Sequence, residues 1–248
     1  MAEPARSAPP RARTERNTRP VVVEFFGLPG SGKTTLARSV AAELRSQRHD
    51  VVVVDDAISA DVAPVARITR KLRLASHAAF VGRASVSRVA SLTTGQRSFR
   101  DAAALAVQWI SIQELLARNH AEIGLFQEGV LQTLWSIGLR ADRRPVFPDD
   151  AGWRRPDVVV VVDAALDTLV SRLATRESSH SRTQGLSPEA MRDELARGAE
   201  LAGSLISWWS EFAGDGRLIH VENGTAGGID ERARAIARSV VRAQDEPA

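Results

Sequence analysis

A chain of 248 residues with 44% hydrophobic side chains is long enough for one α/β unit with an insertion and a sizeable core. It has no cysteine, which excludes disulfides and thiolate metal sites, and no apolar run approaches the roughly 20 residues of a membrane-spanning helix. The net charge is +3, carried almost wholly by arginine because Lys33 and Lys71 are the only lysines. Without tyrosine or a basic stripe interleaved with aromatics, the composition argues against a nucleic-acid substrate, and the lack of cysteine and of a membrane-length apolar run makes a cytoplasmic, soluble protein the expectation.

Residues 1–19 are rich in Pro, Ala and Arg and lack apolar periodicity, so they are expected to form a disordered basic tail. Val21-Val22-Val23-Glu24-Phe25-Phe26 reads as a short buried strand. Gly27-Leu28-Pro29-Gly30-Ser31-Gly32-Lys33-Thr34-Thr35 follows, and it fits G-x-x-x-x-G-K-[ST], the Walker A phosphate-binding loop. Behind it, Leu36, Val40 and Leu44 mark one face of a helix over about 33–47. Each residue type has a physical reason. Glycines let backbone N–H groups close on phosphate oxygens, and the helix N-terminus adds partial positive charge. Lys33 is placed to reach the β- and γ-phosphates, and the Thr34 hydroxyl to ligate Mg²⁺. The segment is expected to bind a nucleoside triphosphate.

Val51-Val52-Val53-Val54-Asp55-Asp56 reads as a second buried strand ending in two carboxylates. Strands alternating with helices imply a parallel sheet, whose ligands lie beyond the carboxyl ends of the strands. Asp55 and Asp56 then stand at the edge that meets an acceptor or metal, or they simply form a strand-ending turn. Residues 57–99 are helical but irregular, with Arg67, Arg70, Lys71 and Arg73 close enough to make one basic face. This stretch is either a solvated face or an insertion that grips an anionic acceptor. Leu105, Trp109, Ile112 and Leu116 define a long amphipathic helix of core residues, which could also serve a homodimer.

Ile123-Gly124-Leu125-Phe126 is a third strand, ending in Gln127-Glu128-Gly129 and followed by a helix with Leu131, Leu134 and Trp135. Residues 140–156 read as an exposed loop. Asp157 to Asp163 is a Val-rich strand feeding a helix through Leu166, Leu169, Val170 and Leu173, after which Arg172, Arg176 and Arg182 are spread toward a Ser-rich stretch at 177–187. Ser187-Pro188 has the form of a helix N-cap with Pro at the first position, opening a helix through Leu195, Leu201, Leu205 and Trp208 to about Phe212. Leu218 to Val221 is the last strand, Asn223-Gly224-Thr225 a turn, and Ile229 to Val241 a closing helix, with 243–248 as a tail.

In this order the parts resemble the P-loop nucleoside and nucleotide kinase family, thymidylate-kinase-like members in particular, over residues 20–242. The resemblance implies a parallel-sheet P-loop NTPase core of three layers (αβα) carrying a helical insertion at 57–99 and a lid at 177–187. It implies ATP and Mg²⁺ as cofactors and a small-molecule phosphoryl acceptor. It casts Glu128 as the strand-three carboxylate that assists metal or acceptor, Arg172, Arg176 and Arg182 as lid arginines, and Asn223-Gly224-Thr225 as the loop that cups adenine. The chain departs from the family at Gln127-Glu128-Gly129, where thymidylate kinases have Asp-Arg-aromatic and deoxynucleoside kinases Glu-Arg-Ser. The function expected is transfer of the ATP γ-phosphoryl group to a phosphate or hydroxyl, with a nucleotide or nucleoside as the first candidate. Asp55 or Glu128 would orient or deprotonate the acceptor. A partner-dependent ATPase, with Gln127 where an aspartate might stand, and a polynucleotide end kinase are the alternatives.

Overall fold

The computed structural model describes residues 20–54, 98–118, 120–141, 155–175, 186–213, 217–224 and 228–245, with Thr69, Leu72, Arg73, Ser76 and Gln96. Its strands are β1 (Val21–Phe26), β2 (Val51–Val53), β3 (Ile123–Phe126), β4 (Val158–Asp163) and β5 (Leu218–Glu222). They form one parallel sheet in the order β2-β3-β1-β4-β5. The described helices are α1 (Lys33–Ser46), α2 (Phe99–Arg118), α3 (Val130–Arg140), α4 (Leu166–Ala174), α5 (Pro188–Ala213) and α6 (Ile229–Asp245).

Alternation along β1 divides the core in two. Val21, Val23 and Phe25 pack with Leu36, Val40 and Leu44 of α1 and Ala233, Ile236 and Val240 of α6. Val22 and Phe26 face the other way, against Trp109 and Leu116 of α2, Leu131 and Leu134 of α3, Leu169 of α4 and Leu205 of α5. A sheet buried on both faces needs apolar side chains at nearly every strand position, which is why its strands are valine runs rather than alternating patterns. The three-layer α/β architecture expected from the sequence is therefore present. β2 is one residue shorter than the four-valine run.

Three details complete this architecture. Asp157, just ahead of β4, accepts a hydrogen bond from Val22 N at 2.8 Å while its own N–H donates to Val22 O at 2.7 Å. In α5 the buried indole is Trp209, 1% exposed, rather than Trp208, because Leu195, Ala202, Leu205 and Trp209 follow the helical repeat. Trp208 is half-buried and meets Trp209 edge to face at 6.1 Å. The N-cap at α5 stands as expected: Ser187 O accepts from Met191 N and Ser187 Oγ from Ala190 N.

Candidate functional site: a phosphate-binding loop and its cleft

The loop Gly27–Gly32 joins β1 to α1 at the carboxyl edge of the sheet. β1 is flanked by β3 and β4, so the loop lies beside the ends of two other strands, where parallel sheets hold their ligands. Gly30 and Gly32 take φ of 85° and 91°, a region that favours glycine, and a Cβ at Gly32 would also overlap the Asn223 amide. Lys33 Nζ donates to Gly27 O at 2.6 Å and Leu28 O at 3.1 Å, which arches the ammonium over the loop. α1 has no acidic residue in its first turn and no side-chain cap. Its leading N–H groups and partial positive charge are thus left to an anion.

The α3 N-terminus is treated in the opposite way. Glu24, 1% exposed at the centre of β1, accepts from Val130 N at 2.8 Å and Gln132 N at 2.9 Å through its two oxygens. A buried carboxylate from another strand thereby caps this helix, and charge-assisted hydrogen bonds offset the burial. The arrangement requires glycine at 129, since a Cβ there would overlap the Glu24 carboxylate. Glu24 thus gives a steric cause for the glycine that ends Gln127-Glu128-Gly129. Sequence reasoning missed Glu24. Its only signal was a charged residue inside an otherwise apolar strand.

A cleft of about 630 Å³ opens beside the loop. Pro29, Gly30, Gly32, Lys33, Thr34 and Thr35 line it from the loop and α1, Gln127 and Glu128 from the end of β3, and Arg172 from α4. Gln108, Gln132, Trp135, Ser136, Leu139, Arg140 and Glu194 complete its described walls. Lys33, Thr34, Glu128 and Arg172, named from the sequence, thus share one cavity. Thr34 and Glu128 are both exposed. Together they offer oxygen donors of the kind Mg²⁺ takes, one or two from protein and the rest from phosphates and water. Among the described residues no group of three His, Cys, Asp or Glu could hold a metal alone, so phosphates would have to complete such a site.

Arg172 is a brace in this structure. Its guanidinium donates to Gly30 O at 3.2 Å and to Asn223 O at 3.0 Å. Asn223 Nδ2 donates to Ser31 O at 2.7 Å, and Arg232 donates to Asn223 Oδ1 at 3.0 Å. The turn after β5 is therefore tied to the back of the phosphate loop, and neither Asn223 nor Gly224 lines the cleft. Asp55, Asp56, Arg176, Arg182, Thr225, nearly all of the 57–99 insertion and all but the end of the 177–187 lid lie outside the described residues.

The family described as an AAA domain matches residues 22–201, well over half of the chain. The protein belongs to that P-loop family. No curated protein matches it. Deoxyadenosine kinase from M. mycoides, solved with the products dCMP and a flexible dCDP bound, is 13% identical over 90% of this chain and 100% of that one, with a TM-score of 0.51. Shikimate kinase from Acinetobacter baumannii in complex with shikimate is 14% identical over 92% of this chain and 96% of that one, with a TM-score of 0.46. At such identities the likeness to deoxyadenosine kinase speaks to the fold alone. The AAA-domain match ends before β5, so the Asn223 brace lies beyond it. No described helix of this AAA-domain protein is long and apolar enough to cross a membrane.

Proposed function

We propose that the protein is a kinase that moves the γ-phosphoryl group of ATP to a hydroxyl or phosphate of a small molecule, with nucleosides and nucleotides the first acceptors to try. The observation that carries this reading is one cleft shared by Lys33, Thr34, Glu128 and Arg172 and extending from the loop along α3. The reach of the cleft from the loop to Trp135 and Leu139 supports an acceptor beside the phosphate chain in preference to a water alone.

The roles follow from charge and reach. Loop N–H groups and the α1 N-terminus bind the phosphate chain, and Lys33 neutralises charge on the β- and γ-oxygens. Thr34 and Glu128 would hold Mg²⁺, which when bound shields phosphate charge and orients the transferring group. Glu128, or Asp55 if it reaches the cleft, orients the acceptor and takes its proton. Arg172 keeps the loop in shape, and Arg176 and Arg182 are proposed to close over the γ-phosphoryl as the 177–187 lid excludes water. Asn223 and Gly224, which lie outside the described walls of that cleft, would border adenine with Thr225.

The test is ATP consumption with Mg²⁺ against nucleosides, nucleoside monophosphates, sugars and aminoglycosides. Turnover should require one acceptor class and fall at least about 100-fold in Lys33→Ala, as loss of a main transition-state donor does. Turnover that survives Lys33→Ala would end the proposed mechanism. Gln127, buried at the cleft, keeps the partner-dependent ATPase as a second reading, and slow hydrolysis indifferent to every acceptor would favour it.

A further inference from the structure

We propose that Arg232 of α6 is a positioning residue for the phosphate loop, acting through the Asn223 side chain to hold the Ser31–Gly32 peptide in its phosphate-binding orientation. The proposal deepens the ATP end of the proposed function and rests on nucleotide binding there, whatever the acceptor. Arg232 stands near the start of α6, beyond the AAA-domain match and in no sequence motif. Its guanidinium donates to three oxygens around the turn between β5 and α6. Nε reaches Gly228 O at 3.2 Å, and Nη1 reaches Glu222 O at 2.9 Å and Asn223 Oδ1 at 3.0 Å. On its other side the Asn223 amide meets Ser31 O, to which Nδ2 donates at 2.7 Å. A guanidinium can only donate and a backbone carbonyl can only accept. Between these two partners the amide has one satisfactory orientation, with Oδ1 toward Arg232 and Nδ2 toward the loop. Arg232 therefore selects which end of Asn223 the loop meets.

The consequence at the loop follows from peptide geometry. The Ser31–Gly32 peptide is trans, so its C=O and the Gly32 N–H point in opposite directions. Holding Ser31 O toward Asn223 turns the Gly32 N–H to the other side. Gly32 lines the cleft and Asn223 does not, so that N–H is offered to the side where phosphate binds. The N–H before it is already engaged, since Ser31 N donates to Leu28 O at 3.2 Å. A peptide leading into a glycine at φ 91° swings more readily than one between bulky residues, so a tether on its carbonyl has a motion to restrain. Arg172 holds the neighbouring Gly30 O and also the Asn223 backbone O, which leaves the Asn223 side chain to Arg232.

Arg232 also pins Glu222 O and Gly228 O, so a loss of stability on its removal says nothing about the loop. The test is a double-mutant cycle read as affinity. Calorimetry with a non-hydrolysable ATP analogue and Mg²⁺, without acceptor, compares wild type, Arg232→Ala, Asn223→Ala and the double variant, with melting temperatures alongside. Each single variant should bind the analogue about 3- to 10-fold more weakly, the range of one lost hydrogen bond. The double variant should match Asn223→Ala within about twofold, because Arg232 acts only through that side chain. Asn223→Asp keeps the pairing with Arg232 but turns an acceptor toward Ser31 O, and should weaken the analogue about tenfold or more. A lowered melting temperature with affinity unchanged in Arg232→Ala would make the residue merely structural and overturn the proposal. Losses that multiply in the double variant, or wild-type affinity in Asn223→Asp, would also overturn it. If wild type binds no analogue, the nucleotide reading and the proposal fall together. If the pattern holds yet no acceptor is phosphorylated, the kinase reading fails and the positioning role stands.

Discussion

Glu24 shows how one residue can set the geometry of a site it does not line. Its carboxylate holds the first turn of α3 and, through Gly129, the path of the Gln127-Glu128 segment. Glu24→Ala leaves two N–H groups without their partner and should cost about 2–4 kcal/mol in urea unfolding; a loss under about 0.5 kcal/mol would show that the cap is replaceable. Gly129→Ala should cost about 1–3 kcal/mol, since a Cβ there can enter only by displacing a doubly bonded carboxylate. Residues of this kind were the least legible in the sequence. Val-Val-Val-Glu-Phe-Phe shows a charge in a buried strand, but its partners are 106 and 108 residues away, and no local period points to them. The P-loop was legible because its residues act together within one turn of chain. The sequence traces the helix through Trp208 but does not say which of two adjacent indoles is buried, because a run of alanine and glycine defines the helical phase poorly, and the buried one is Trp209.

At the scale of elements, the phosphate loop is held from behind by α4 and the turn after β5. Arg172 joins the two, and Asn223 joins that turn to Ser31. Arg172→Ala should therefore weaken binding of an ATP analogue by about tenfold, near 1.4 kcal/mol, as well as lowering kcat. A lid arginine acting only on the transition state would lower kcat with affinity intact, and titration with the analogue separates the two. Asn223→Ala should weaken the analogue in the same direction. The elements themselves were largely legible: valine runs gave the strands, and the Leu36-Val40-Leu44 and Leu105-Trp109-Ile112-Leu116 spacings gave α1 and α2, all buried as expected. The brace was not, because Arg172 and Asn223 are 51 residues apart and meet only once β4 and β5 pair.

At the scale of the molecule, a parallel sheet with both faces covered presents two helix N-termini at the same edge and uses them differently. α1 is left uncapped by side chains and α3 is closed by Glu24, so an anion is favoured on the α1 side of the cleft that both helices line. This division was half legible. The motif located the phosphate side, whereas the opposite wall depends on which face of α3 meets α5 and which meets the cavity. The most direct test of phosphoryl transfer follows the group itself. The protein would be incubated with Mg²⁺, ATP labelled with ¹⁸O in its γ-phosphoryl group and a desalted pool of nucleosides, sugars and amino sugars, and products read by mass. Label carried on an organic hydroxyl or phosphate, and absent with Lys33→Ala, is the result expected. Label found in inorganic phosphate alone would contradict the account and make the cleft that of a hydrolase.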